Sequence, residues 1–249
     1  EKLHALESQC KGVIDIKVPS QELLNSLLEH YQNGRLSEAE KLAASITQEF
    51  PKHQLAWKVL GTVLGATGRM SKAIDANQTA VALFPQDADA HNNLGVTLEE
   101  LERFDEAEAS YKRAIKVKSD FAGAHYNLGI MLQKLGRLNE AEASYKQAMV
   151  SRPDYAEVHF KLGNILQELG RSEEAVASYN QAIESRPGHP EAQINLGITF
   201  ENLGRVNEAL VSYTQAIALR PDFAEAHNNL GNTLNTLGRL DYAEASYRK

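Results

Sequence analysis

The chain has 249 residues, of which 43% are hydrophobic, and a formal net charge of −7 at neutral pH. This acidic balance argues against nucleic-acid binding, which selects a basic stripe, and no apolar run is long enough to span a membrane. The single cysteine, Cys10, cannot form an intrachain disulfide and no signal peptide is visible, so we expect an intracellular, cytoplasmic protein.

Residues 1–19 match no other part of the sequence and are predicted to form a separate N-terminal segment. From residue 20 onward a pattern recurs with a period of 34 residues. Its clearest marker is a Gly-Arg step, whose arginines are Arg35, Arg69, Arg137, Arg171, Arg205 and Arg239, with Glu102-Arg103 in the remaining place. A fixed period of roughly 20 to 50 residues is typical of stacked-repeat proteins. The predicted repeats are 20–53, 54–87, 88–121, 122–155, 156–189, 190–223 and a partial 224–249.

The repeat at 122–155 shows how each unit is expected to fold. Five residues fall on one face of a helix, namely His125, Leu128, Gly129, Leu132 and Leu135. Gly136 is predicted to end that helix, because glycine adopts the left-handed conformation at little cost. Capping boxes are predicted to open the second helices, at the pairs Ser37/Glu40, Asp105/Glu108, Asn139/Glu142 and Asp241/Glu244. The second helix is expected to bury Ala141, Tyr145, Ala148 and Met149 and to end before Pro153.

The residues that recur at equivalent positions of successive repeats, here called columns, resemble those of the tetratricopeptide repeat (TPR) family over about residues 20–249. An aromatic column holds Trp57 and the histidines His91, His125, His159 and His227, and a tyrosine column runs from Tyr111 to Tyr247, with Asn77 departing from it. The resemblance implies an all-α fold: a right-handed superhelical α-solenoid of antiparallel helix pairs. It also implies that the first helix of each pair lines a concave groove in which a protein or peptide binds.

Two columns of the first helices carry carboxamides and are our candidate peptide-binding positions. The first column includes Asn93, Asn127, Lys161, Asn195 and Asn229, and the second includes Asn164 and Asn232. A carboxamide offers both a donor and an acceptor, so such a row can pair with an extended peptide backbone. This row is similar to the asparagine ladder in the TPR region of O-GlcNAc transferases, although Val59 and Lys161 interrupt it. The alternative is that these asparagines bridge neighbouring helices.

Further side chains suggest what the groove recognises. Tyr126, Phe160 and Ile194 precede the asparagine column and are predicted to form an apolar patch. The candidate groove positions carry eight acidic residues, Asp89, Glu99, Glu100, Glu157, Glu168, Glu191, Glu201 and Glu225, against Lys58, Lys134 and Lys161. An acidic surface of this kind favours a partner with basic residues. The alternative is that these are ordinary solvated helix faces.

Catalytic, cofactor-binding and metal-binding residues are not expected. The column histidines recur once per repeat in a packing position, and the sequence has no phosphate loop, HExxH or CxxC motif. Three functions remain open: a non-catalytic interaction scaffold, the substrate-recruiting arm of a larger enzyme such as a glycosyltransferase whose catalytic domain follows Lys249, and a scaffold that self-associates through its repeat ends. Because the seventh unit stops inside its second helix, we expect the protein to continue beyond Lys249.

Overall fold

The computed structural model describes residues 18–248, and within that range the backbone forms fourteen α-helices and no β-strand. Most of the predicted N-terminal segment, including Cys10, lies outside the described residues. The helices are α1 Gln21–Gln32, α2 Leu36–Glu49, α3 Gln54–Ala66, α4 Met70–Leu83, α5 Ala88–Glu100, α6 Phe104–Val117, α7 Ala122–Lys134, α8 Leu138–Ser151, α9 Ala156–Glu168, α10 Ser172–Ser185, α11 Pro190–Asn202, α12 Val206–Leu219, α13 Ala224–Thr236 and α14 Leu240–Tyr247.

The chain divides into two compact units, the first ending at Arg103 and the second beginning at Phe104. The first contains α1 to α5, and the second contains α6 to α14. Within each unit every helix packs against its neighbours in sequence. First helices of successive repeats also touch directly, as α3 and α5 do in the first unit and α9 and α11 in the second. This all-α arrangement of paired helices confirms the predicted fold class.

Glycine shapes the turn inside each helix pair, as predicted. Gly136 follows α7 with φ of 72°, in the left-handed region. Its amide donates to the carbonyl of Gln133, and the amide of Arg137 donates to that of Leu132, both at 2.9 Å. These two bonds form a Schellman motif, which satisfies helix-end carbonyls that would otherwise lack donors. The sharp reversal brings α8 back against α7.

A second glycine brings the two helices of a pair into close contact. Tyr179 of α10 is completely buried against Gly163 of α9. A Cβ atom on Gly163 would lie only 2.5 Å from Cε1 of the tyrosine ring. Gly129 with Tyr145 and Gly197 with Tyr213 repeat this arrangement. The tyrosine and glycine columns of the sequence are therefore two sides of one packing contact.

The predicted capping boxes are wrong. The second helices begin two residues earlier than those motifs require, so Ser37, Asp105, Asn139 and Asp241 are each the second residue of a helix. The N-cap of α8 is Arg137, with no side-chain cap bond. The Glu142 carboxylate does not cap the helix, because it forms ion pairs with Lys146 and Arg171. Leu135 also departs from prediction, since it is the C-cap of α7 and is 38% exposed.

Glu102 occupies the turn position that is glycine in the other repeats. Its φ is 57°, so the side chain is held in the left-handed region. The amides of Glu102 and Arg103 donate to the carbonyls of Glu99 and Leu98, both at 2.9 Å. These bonds match those at Gly136, so the turn keeps the same hydrogen-bonding pattern without glycine. Glu102 adopts the glycine geometry despite the steric strain of its Cβ.

Candidate functional site

The predicted carboxamides lie on the first helices, where they are partly accessible. Asn93 is on α5, Asn127 on α7, Asn195 on α11 and Asn229 on α13, and all four are partly buried. Asn164 on α9 is partly buried as well, whereas Asn232 on α13 is exposed. Lys161 lies one helical turn before Asn164 and is partly buried. The sequence therefore placed each candidate on the predicted type of helix.

Carboxamides join successive first helices in both units. In the second unit the Nδ2 group of Asn195 donates to Oδ1 of Asn164 at 2.9 Å. In the first unit Asn93 Nδ2 donates to Oγ1 of Thr62 at 3.2 Å. Both bonds span 31 residues, so they connect the same two columns of adjacent repeats. Part of the hydrogen-bonding capacity of the row is thus used within the fold, which is the bridging alternative stated above.

The second carboxamide column also accepts hydrogen bonds from the tyrosine column. The hydroxyl of Tyr179 donates to Oδ1 of Asn164 at 2.8 Å and to Gln167 Oε1 at 3.0 Å. The hydroxyl of Tyr247 donates to Oδ1 of Asn232 at 2.8 Å. Burial raises the pKa of Tyr179, so the hydroxyl remains a proton donor throughout the physiological range. Asn164 therefore accepts two hydrogen bonds and has a fixed orientation.

Aromatic side chains lie beside the asparagine row in the second unit. Tyr126 packs against Tyr155 with ring centroids 5.2 Å apart, and Phe160 packs against His189 at 4.7 Å. Burial raises the pKa of Tyr126 to about 12, and the nearby Glu157 carboxylate acts in the same direction. Ile194, the third predicted member, is only 1% exposed and so contributes no accessible surface. The predicted apolar patch thus consists of Tyr126 and Phe160 without Ile194.

The charged residues of the first helices are partly neutralised by neighbours. Glu157 forms an ion pair with Arg186 at 3.5 Å, and Glu191 forms one with Arg220. Glu201 accepts a hydrogen bond from the hydroxyl of Tyr213 at 2.9 Å. Lys161 holds its ammonium group 5.9 Å from the ring centroid of Phe160. The acidic excess at this surface is therefore smaller than a count of residues suggests.

The column histidines act in packing. The Nε2 atom of His159 lies 2.7 Å from the carbonyl oxygen of Pro153, six residues earlier. His91, His125 and His227 make the same contact, and Trp57 donates its indole N–H to the carbonyl of Pro51 at 2.8 Å. Since carbonyl oxygens only accept, each histidine carries its proton on Nε2. Among residues 18–248 no three His, Cys, Asp or Glu side chains are grouped so as to hold a metal ion.

Comparison with protein families identifies the repeat. Models described as tetratricopeptide repeat match residues 25–88, 88–121 and 120–188, and one described as TPR repeat matches residues 202–238. The chain belongs to the tetratricopeptide repeat family. No curated protein matches the sequence closely enough to count as a relative.

Solved structures share the TPR fold. YrrB, described as a TPR protein with an unusual peptide-binding site, has 23% identity and a TM-score of 0.61, covering 74% of this chain and 95% of YrrB. Pseudomonas aeruginosa pilF has 18% identity and a TM-score of 0.69, covering 78% and 88% of the two chains. A chain of the APC/C hetero-tetramer Cut9–Hcn1 has 17% identity and a TM-score of 0.69, covering 85% of this chain and 42% of that one. At these identities the similarity concerns the fold alone.

The arginine of the Gly-Arg step has a role that the sequence reasoning missed. Arg171 Nη1 lies 2.7 Å from a carboxylate oxygen of Glu142, and Arg137 makes the same contact with Glu108 at 2.5 Å. Arg69 pairs with Glu40 in the first unit. Each pair spans 29 residues and joins the turn of one TPR to the second helix of the preceding one. The sequence signal that could have predicted these ion pairs is a glutamate that stands 29 residues before three of the arginines.

The candidate surface lies in an all-helical framework. None of the fourteen helices in residues 18–248 is both long and apolar enough to cross a bilayer. The TPR framework instead presents partly buried carboxamides, two accessible aromatic rings and unevenly balanced charge on its first helices. Such groups can bind a peptide backbone and its side chains by hydrogen bonding and apolar contact.

Proposed function

We propose that this chain is a non-catalytic protein-interaction scaffold whose first helices bind an extended peptide segment. The observation that carries the proposal is the bond from Asn195 Nδ2 to Asn164 Oδ1. It aligns carboxamides of successive TPRs, and Asn195 also hydrogen-bonds to the hydroxyl of Tyr179. The carbonyl oxygen of the Asn195 side chain is left as an acceptor for a peptide backbone N–H.

Tyr126 and Phe160 extend the proposed surface. Each ring lies partly exposed, one position before an asparagine-column residue, and is supported by a second aromatic ring beneath or beside it. Supported rings of this kind act as anchors for a partner side chain, because little side-chain entropy is lost when they are covered. YrrB, which shares the TPR fold, is described as having a peptide-binding site, and this supports peptide binding in general for the present chain.

The charge of the partner is the finer part of the proposal. We propose a segment with lysine or arginine residues, because two acidic groups of the first helices are weakly compensated. Glu168 forms no ion pair among the described residues, and Asp89 lies 3.8 Å from the ammonium group of Lys58. Attraction between exposed charges weakens as salt is added. The resemblance to the recruiting arm of O-GlcNAc transferases and the self-associating scaffold stay hypotheses alongside this one.

The test is a random peptide library screened by fluorescence anisotropy at low and moderate salt against three proteins. The first is the parent chain, and the second carries Asn127→Ala, Asn195→Ala and Asn229→Ala. The third is a control with Gln147→Ala, Gln181→Ala and Gln215→Ala, which removes three exposed carboxamides that recur every 34 residues on the second helices. We expect basic peptides to bind the parent and the control, and to bind the asparagine variant at least about tenfold more weakly.

Thermal unfolding of all three proteins separates lost binding from lost structure, since Asn195→Ala also removes a bond within the fold. Equal peptide affinity for the parent and the asparagine variant would exclude the first helices as the binding surface. If no peptide binds any of the three folded proteins, the scaffold proposal fails in its peptide-binding form.

A further inference from the structure

The second TPR departs from its neighbours at two positions that meet in space. Where other repeats have a buried tyrosine, it has Asn77, and where they have Gln133, Gln167 or Glu201, it has Gly65. In those repeats the tyrosine hydroxyl donates to that Gln or Glu, for example from Tyr145 to Gln133 at 3.2 Å. The second TPR thus has a smaller residue at both ends of this hydrogen bond. These two differences together remove an aromatic ring, and the side chain that accepts from its hydroxyl, from the same place in the repeat.

A cavity of about 440 Å³ lies at this position in the first unit. Helices α3, α4 and α5 form its wall, which includes Gly61, Gly65, Met70, Asn77, Val96 and Glu100. Val96 is 40% exposed and Glu100 is exposed, so the cavity opens to solvent. Gly61 and Gly65 present backbone without side chains, and Met70 is an adaptable apolar side chain. The volume lies within the range of side-chain and small-ligand pockets.

Asn77 leaves an unsatisfied acceptor in the cavity wall. The residue is 1% exposed, and its Nδ2 group donates to Oγ1 of Thr97 at 2.8 Å. Its Oδ1 atom lies against Gly61 and has no hydrogen-bond partner in the structure. A buried polar atom without a hydrogen-bond partner destabilises the fold, because it has lost its bonds to water. A bound group with an O–H or N–H donor removes that destabilisation.

Glu100 adds a charge at the mouth of the cavity. The carboxylate is exposed, and within the described residues it forms neither an ion pair nor a side-chain hydrogen bond. A cation that approaches the mouth therefore meets an uncompensated negative charge. The cavity combines a slot lined mostly by carbon, a buried acceptor and a free carboxylate at its rim.

We propose that this cavity is a specificity pocket for one aromatic side chain of the bound peptide, with tyrosine as the best fit and a lysine or arginine beside it. The inference rests on the proposed function and names the residue that the peptide must carry. In four other repeats of the second unit a tyrosine ring covers the equivalent helical glycine, as Tyr145 covers Gly129, whereas the smaller side chain of Asn77 covers Gly61. A partner ring lies in the cavity beside Gly65 and Met70, its hydroxyl donates to Asn77 Oδ1, and the adjacent cation pairs with Glu100.

The first test uses p-cresol, the side-chain analogue of tyrosine, and methyl NMR of the full chain. We expect saturable shifts confined to the methyl signals of Met70 and Val96. Two variants fill the cavity with residues that other repeats have at the same positions. Asn77→Tyr restores the tyrosine ring, and Gly65→Gln adds a side chain that projects into the cavity from α3. A Cβ on Gly65 meets no atom within 4 Å, so Gly65→Gln remains informative even if Asn77→Tyr disturbs folding.

Each variant is expected to weaken p-cresol binding at least about tenfold. The inference is overturned if p-cresol gives no saturable shifts in the parent chain, or the same shifts in both folded variants. Saturation by propylguanidine in the absence of p-cresol binding also overturns it, because that result identifies an arginine pocket.

The second test repeats the peptide screen with the parent chain and Gly65→Gln. We expect the peptides selected by the parent to be enriched in an aromatic residue next to a basic one, and that enrichment to disappear in the variant. Peptides that bind both proteins without aromatic enrichment contradict the pocket while leaving the scaffold intact. The opposite result, p-cresol bound at Met70 and Val96 with no peptide selected, contradicts the proposed function alone.

Discussion

Arg171 reaches back from its turn to Glu142 in the preceding TPR, where its Nη1 atom lies 2.7 Å from a carboxylate that is 10% exposed at its side chain. The same arginine also pairs with Glu174, whose side chain is 57% exposed. One guanidinium therefore joins two repeats through a shielded carboxylate and holds a second carboxylate in solvent. Removing the shielded carboxylate is expected to destabilise the fold more than removing the exposed one.

The first prediction compares Glu142→Gln with Glu174→Gln. We expect Glu142→Gln to lower the free energy of unfolding by about 1 to 2 kcal/mol, because it leaves Arg171 and Lys146 without their shielded partner. The matched control Glu174→Gln removes an exposed partner of the same arginine and should cost less than about 0.5 kcal/mol. Urea unfolding followed by circular dichroism measures both. Equal losses for the two variants would show that shielding does not determine the strength of the contact.

The second prediction concerns acid stability. A hydrogen bond from the Arg137 guanidinium lowers the pKa of Glu108 most, and one from Lys112 acts in the same direction. Together they bring that pKa from 4.5 to about 2. A carboxyl group with a lower pKa in the folded chain stabilises the fold at pH values above its ordinary pKa, where it is ionised in both states. That contribution is lost as the pH falls from about 4.5 towards 2. Unfolding midpoints across this range should fall less steeply for Glu108→Gln than for the parent.

Asp105→Asn is the control for that experiment, because it changes an exposed carboxylate of the same helix. Its pH profile should follow the parent. A Glu108→Gln profile that also follows the parent would mean that the pair with Arg137 does not contribute to acid stability.

The third prediction tests the close contact between Gly163 and Tyr179. Gly163→Ala places a Cβ 2.5 Å from Cε1 of a completely buried ring, so the two helices must separate or the ring must move. Overpacking of this kind costs about 1 to 3 kcal/mol. The control Gly65→Ala adds a Cβ in open space on α3 and should instead stabilise the chain by about 0.5 to 1 kcal/mol. Thermal unfolding distinguishes a loss from a gain, and a gain at both positions would contradict the packing argument.

Local chemistry made part of this structure predictable. The positive φ of Gly136 follows from the conformational freedom of glycine, and the end of α8 before Pro153 follows from the missing amide hydrogen of proline. Both effects act within a few residues, so their signals are contiguous in the sequence. The carboxamides of Asn164 and Asn195 were also placed on the first helices, because the helical period fixes which residues share a face.

Contacts between repeats were not predictable in the same way. Glu142 has the spacing of a capping box, yet it pairs with an arginine 29 residues later, and only the stacking of helices brings the two groups together. Ile194 follows the same column as Phe160 and is nevertheless buried. The cavity at Asn77 depends on two substitutions, at positions 65 and 77, that appear unrelated along the chain.

The last prediction concerns Glu102, the non-glycine residue in the left-handed turn. Its φ of 57° lies close to that of the turn glycines, and the turn keeps its two hydrogen bonds. An L-residue in this region has strain of about 1 to 2 kcal/mol that glycine avoids, although glycine also gains entropy in the unfolded chain. We therefore expect Glu102→Gly to raise the free energy of unfolding by about 0.5 to 1 kcal/mol. Gly136→Ala should lower it by a similar amount, since it introduces the same strain at φ of 72°. Denaturant midpoints measure both, and a destabilised Glu102→Gly variant would mean that the Glu102 side chain stabilises the turn by more than its backbone strain costs.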